Sequence, residues 1–218
     1  MNPEILSTIL IYAVPVIFAI TLHEAAHGYA ALLLGDPTAK LAGRISLNPI
    51  RHIDLVGTIL LPLALLLTAK MLGAGLFLFG WAKPVPVDFG RLNSPKRDMR
   101  WVAFAGPGAN FLMAFFWAAV LKYTLISDYP GEMLPEMAKV GIFTNVGLAI
   151  LNLIPLLPLD GGRILFSILP NRLAEEYGKS ERYGMPILLL LMMLNLLPVI
   201  MLPFVALTVS VIQLIFNL

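Results

Sequence analysis

A chain of 218 residues that is 59% hydrophobic and only 13% charged lies far from the balance of a soluble domain, where about a quarter of residues are charged. A formal net charge of +2, from 15 Lys and Arg against 13 Asp and Glu, offers neither a nucleic-acid footprint nor an acidic-partner surface, and the absence of cysteine rules out disulfides and thiolate metal sites. What is left is an integral membrane protein whose apolar residues fall in runs of bilayer length, and any metal it holds must be bound by His, Asp or Glu.

The first apolar run covers 5–34 and lacks the Lys/Arg-rich start of a signal peptide, so it reads as a retained membrane helix, stopped by Gly35-Asp36-Pro37. Inside it stands "HEAAH". His23 and His27 are four residues apart, so on a helix they lie one above the other and can reach the same metal ion. Glu24, beside them, is placed to hold and deprotonate a water. Satisfied core histidines and a buried ion-pair partner would be the plain alternative, but ionisable groups inside a span are rare and usually functional. The small residues Ala25, Ala26, Gly28, Ala30 and Ala31 would let another helix come close. At 1.5 Å per residue the helix is about 45 Å long and the histidines sit ~6–12 Å past its middle, inside the bilayer.

Further apolar runs follow at about 55–80, 101–126, 140–159 and 184–217. Segments 39–54 (Lys40, Arg44, Arg51) and 81–100 (Lys83, Arg91, Lys96, Arg97, Arg100) carry the cations and so belong on the cytoplasmic side. Both can lie there if 55–80 is a re-entrant hairpin bent near Lys70 and the glycines at 73 and 75, rather than a single crossing. Segment 127–139 sets Asp128, Glu132 and Glu136 against Lys139 alone, and no Lys or Arg precedes residue 40, so both regions fit the outer side. The last run, at 34 residues, exceeds one span; Asn195, Pro198 and Pro203 either divide it into two helices or kink one.

Two histidines leave a hydrolytic zinc ion (Zn2+) short of a third protein ligand. Asp160, in "LNLIPLLPLDGGRIL" (151–165), ends an apolar run broken by Pro155 and Pro158, where Gly161-Gly162 permits close backbone approach. It is a plausible intramembrane ligand, and equally an N-cap for a helix starting near Gly161. His52, in a polar segment, is the other candidate and reads better as a surface or hydrogen-bonding histidine.

"HEAAH" early in a span, followed about 130 residues later by "NLIPLLPLDGG" (152–162), resembles the site-2 protease family of intramembrane zinc metalloproteases. "GRISLNPIRHID" (43–54), "GWAKPVPVD" (80–88) and "AGPGANF" (105–111) are similar to stretches of its compact prokaryotic branch, so the resemblance covers nearly the whole chain. It implies His23, His27 and Asp160 as zinc ligands and Glu24 as the catalytic base. It also implies Asn152 and Asn110 as polar neighbours able to meet substrate, and β-structure at 43–53 and 80–90 that receives an extended substrate.

The expected fold is an all-α polytopic membrane protein forming one domain over 1–218. Three core helices (about 5–34, 101–126 and 140–165) carry the metal site, with an interfacial, re-entrant and β-containing segment at about 39–100 and one or two C-terminal helices. No space is left for a PDZ domain. The expected partners are transmembrane-helix substrates and the lipid bilayer, in the plasma membrane of a prokaryote, with the site nearer the cytoplasm; nothing in the sequence fixes an oligomeric state. A metal transporter with a midplane cation site, or a helix-binding scaffold, is the alternative function; Glu24 speaks against the first, since "HExxH" aims this carboxylate at water instead of the metal.

Overall fold

The structure, a computed structural model, describes residues 3–60, 64, 82–127 and 129–218. Helix α1 (Pro3–Leu33) is continuous through Pro15 and the histidines. Its end follows from local chemistry: Gly35 takes a φ of +108°, where glycine is nearly alone in fitting without strain, and the Asp36 N–H closes on the Ala31 carbonyl at 2.8 Å. Asp36 is completely buried. It accepts hydrogen bonds from the N–H and hydroxyl of Thr38, which opens the short helix α2 (Thr38–Leu41), and from the Asp88 N–H at 2.7 Å. Burial pushes this carboxyl upward, but the bonds from Thr38 and Asp88 and the nearby charge of Arg91 outweigh it, so Asp36 titrates below its ordinary value.

The β-structure expected at 43–53 and 80–90 is not formed among the described residues. Residues 49–52 make a 3₁₀ turn capped by the Asn48 side chain, residues 55–60 a π-helical turn, and 82–88 an extended stretch outside any ladder. The reason lies in "KPVPVD". Pro84 and Pro86 have no N–H, and three of the four remaining donors are used separately: Lys83 on the His52 carbonyl, Val85 on Glu24, and Asp88 on Asp36. The bend of the expected hairpin, near Lys70 and residues 73–75, falls outside the described residues.

Helix α3 (Pro95–Ile126) begins six residues before the apolar run, at a Ser94-Pro95 start in which the Asp98 carboxylate accepts the Ser94 N–H. Helix α4 (Met133–Asn152) corrects the expected 140–165 at both ends. It starts earlier because Glu132 and Glu136 suit a helix N-terminus, and stops at Asn152 because Pro155 and Pro158 follow. After a loop, α5 (Asp160–Ile168) starts afresh, then α6 (Asn171–Gly178), α7 (Glu181–Met193) and α8 (Leu196–Phe216). The C-terminal run is thus two helices, divided at Asn195, whose φ of 55° is left-handed.

Among the described residues, α1, α3, α4 and α8 are long and apolar enough to cross a membrane. Their outward faces carry large exposed apolar side chains such as Ile9, Phe18, Leu112, Phe116, Leu202 and Leu214, as a lipid-facing surface should. Between α3, α4 and α8, small residues bring backbones together: Ala114, Ala118, Ala138 and Gly141 pack with Trp117, Ile142, Val146 and Ile212, and a Cβ on Gly141 would fall inside the Trp117 ring. Helix α5 lies against α3, held at its far end by Lys96, whose ammonium donates to the Leu169 carbonyl and the Asn171 side chain, each at 2.6 Å.

Candidate metal centre

Helical spacing puts His23 and His27 on the same side of α1, and α3 presents Gly106 to them. A Cβ at Gly106 would stand 2.6 Å from Cε1 of both rings, so only glycine leaves room for the imidazoles. Asp160 comes from the start of α5. Its loop is clasped because Gly161, Gly162 and Gly184 each lie where a Cβ would run into the backbone of Leu153–Leu157. Asp160 does not cap α5, whose N-cap is Leu159 without a side-chain bond; its carboxylate points to the histidines.

The resulting distances are short. His23 Nε2 and His27 Nε2 are 3.0 Å apart, and each lies 3.3 Å from Asp160 Oδ2. The other ring nitrogens decide what these atoms are. His27 Nδ1 is 2.7 Å from the Val102 carbonyl, which can only accept, so Nδ1 carries the proton and Nε2 of the neutral ring presents a lone pair. His23 Nδ1 is 2.7 Å from Asn110 Oδ1, with the same outcome. With both rings neutral, as metal ligands are, three lone-pair atoms converge, and Asp160 Oδ2 is buried without a hydrogen-bond partner among the described residues. Such a cluster is repulsive unless a cation sits in it. Tetrahedral zinc with bonds of about 2.0–2.1 Å needs donors about 3.3–3.4 Å apart, so the cluster fits that ion.

The remaining expected residues are distributed unevenly. The Glu24 carboxylate is held by the Val85 N–H at 2.8 Å, which fastens the extended 82–88 stretch to the metal-motif helix. Asn110 is fully buried and its amide is committed to His23, Ala19 and Asn145, so it supports the cluster from behind and has no face for substrate. Asn152 donates to the Leu148 carbonyl of its own helix at 3.0 Å. His52 is buried and bonded to the Ser46 carbonyl, apart from the cluster. Sequence reasoning missed Gly106, the Val102 carbonyl and Asn145. "AGPGANF" carried a signal for the first, but a carbonyl partner and an asparagine 35 residues beyond Asn110 leave no local pattern.

Over 185 residues, 82% of this chain and 78% of the relative, the sequence is 37% identical to a Bacillus subtilis (strain 168) protein named "Putative zinc metalloprotease YwhC". A family model described as "Peptidase family M50" matches residues 127–195. The chain belongs to peptidase family M50. The matched stretch of this M50 protein contains α4, the Asn152–Pro158 turn and Asp160, while the "HEAAH" helix precedes it. The family and the relative make it a zinc metalloendopeptidase of the site-2 type, and its apolar helices make it an integral membrane protein. No solved structure matches the chain.

Proposed function

We propose that this M50 protease hydrolyses peptide bonds within or beside transmembrane segments, at a zinc ion held by His23, His27 and Asp160, with Glu24 as general base. The observation that carries the reading is the convergence of two histidine nitrogens, from a helix long and apolar enough to cross a membrane, with a carboxylate oxygen from the start of α5. His23, His27 and Asp160 would hold the zinc ion, which would lower the pKa of a bound water toward neutrality and polarise the scissile carbonyl. Glu24, anchored through one oxygen by Val85, takes the proton from the attacking water and later passes it to the leaving amine. Val102 and Asn110 hold the two imidazoles in the tautomer that keeps both Nε2 atoms unprotonated. Asn152, at the end of α4, can exchange its bond to Leu148 for one to substrate backbone or to the developing oxyanion.

Substrate spans reach a site inside the bilayer by lateral diffusion, but a helix has its backbone bonds already made and must unwind locally before attack. An unwound strand regains partners along 43–53 or 82–88, where Pro84 and Pro86 leave the second stretch richer in carbonyl acceptors than in donors. The cations at 39–54 and 81–100 support a cytoplasmic position for that face, and the bacterial relative supports a prokaryotic plasma membrane.

Wild type and Glu24→Gln, purified side by side in detergent, test the reading by zinc content and cleavage of a single-span substrate. Both should hold about one zinc per chain, with cleavage reduced about 10²–10⁴-fold in the variant, the usual contribution of a general base. Zinc binding without cleavage of any member of a diverse substrate panel by wild type would favour a transporter or scaffold.

A further inference from the structure

Behind the metal cluster runs a chain of hydrogen bonds that crosses three spans. His23 on α1 donates from Nδ1 to Asn110 Oδ1 on α3 at 2.7 Å. The Asn110 amide spends its two hydrogens on the Ala19 carbonyl at 3.1 Å and on Asn145 Oδ1 of α4 at 3.0 Å. Asn145 donates in turn to the Gly141 carbonyl at 2.9 Å. Both asparagines are completely buried.

We infer that Asn145 is a positioning residue that fixes the tautomer of His23 through Asn110. This rests on the reading of His23 as a zinc ligand. A carboxamide can be turned over, exchanging its oxygen and nitrogen, and here each orientation has a definite consequence. The Gly141 carbonyl can only accept, so Asn145 must face it with Nδ2 and present its oxygen to Asn110. Asn110 then meets two acceptors, Ala19 O and Asn145 Oδ1, and must present Nδ2 to them and Oδ1 to His23. His23 is left with the proton on Nδ1 and the lone pair on Nε2, aimed into the cluster. Turned over, Asn110 would set its oxygen against two other oxygens and offer an N–H to His23 Nδ1. That would move the ring proton to Nε2 and remove a metal donor. Asn145 supplies one of the two locks against this flip, and its loss would also leave a buried Asn110 N–H unpaired.

A bond that merely joins α3 to α4 would explain the burial but not the direction of every donor, so the test compares variants of the full-length protein in detergent. Asn145→Val removes the acceptor at similar volume. Asn145→Asp, neutral when buried, keeps an oxygen for Asn110 and a hydroxyl for Gly141. Zinc affinity is read by competition with a chelator, and the donor set by the visible spectrum after cobalt substitution. Loss of the direct outer partner of a metal-bound histidine typically weakens metal binding about 10–100-fold, and Asn145, one bond further out, should give a loss near the lower end, about 10-fold for Asn145→Val, with an altered cobalt spectrum. Asn145→Asp should stay close to wild type in both. Equal affinities in wild type and Asn145→Val, or equal losses in the two variants, would overturn the inference. Nitrogen chemical shifts of the imidazoles in zinc-free wild type give a check that needs no variant: the His23 proton should be on Nδ1, and finding it on Nε2 would overturn the relay. If His23→Ala binds zinc as tightly as wild type, it is the metal reading that fails.

Discussion

Gly106 offers the sharpest perturbation because the added group is a single methyl and its target is the pair of imidazoles. An alanine Cβ would stand 2.6 Å from Cε1 of both His23 and His27. Carbon atoms in ordinary contact lie about 3.5–4.0 Å apart, so both rings would have to retreat by roughly 1 Å. Donor atoms of a metal site tolerate displacements of about 0.2 Å, and a misplacement of about 1 Å at a reacting centre can reduce rate ~100-fold. Helix propensity works the other way, since alanine in a helix interior is favoured over glycine by about 1 kcal/mol, and a global loss of helix is not expected. Gly106→Ala should therefore fold, lose bound zinc and cleave at least ~100-fold more slowly. Gly108→Ala, two residues further along α3 and meeting only the Phe104 ring, at an ordinary 3.5 Å and 3.8 Å, is the matched control and should behave as wild type. Zinc per chain by atomic emission and initial cleavage rates give the reading. Wild-type zinc content and turnover in Gly106→Ala would refute the placement of the histidines against α3.

Other substitutions separate the parts of the site. Asn152→Ala should slow turnover while leaving zinc content intact, because among the described residues Asn152 bonds only the Leu148 carbonyl; unchanged turnover removes it from the mechanism. Gly184→Ala would drive a methyl into the Leu157 carbonyl, a backbone atom that cannot rotate away, so thermal unfolding should shift downward by the equivalent of about 1–3 kcal/mol and zinc content fall as the Asp160 loop moves. An unaltered melting curve would show that the loop is not clasped there. Asp36 titrates below the usual 3.8, so its ionisation stabilises the fold above that pH, and the contribution is lost as pH falls further, through the folded value. Melting temperature should drop more steeply below pH 3.8 in wild type than in Asp36→Asn, and parallel curves would contradict the buried network at the end of α1.

What could be read from the sequence was what local chemistry determines. Gly35-Asp36-Pro37 ends α1 where the pattern says, while the prolines after Asn152 stop α4 short of the expected 165 and, of the two readings open for the C-terminal run, the division at Asn195 is the one formed. Charges misled where they sit inside helices: Lys96 and Arg97 hid the start of α3, and Glu132 with Glu136 made the first turn of α4 resemble a loop. The β-structure expected from resemblance did not form among the described residues because Pro84 and Pro86 withhold donors and Glu24 and Asp36 accept others. At the site, helical periodicity alone pairs His23 with His27. Asp160 was one of two candidates until the loop geometry brought it within 3.3 Å of both. Gly106, Val102 and Asn145 act across helices, and their roles depend on packing that no local window contains.

Zinc-dependent hydrolysis inside a membrane span is tested first by mapping the cut. Wild-type protein and a single-span substrate reconstituted together in liposomes should yield fragments whose new termini, by mass spectrometry, fall within the apolar span. Chelation should abolish them and added zinc restore them. Cuts confined to the soluble flanks of the substrate would rule out hydrolysis within the span, and cleavage indifferent to the chelator would rule out zinc.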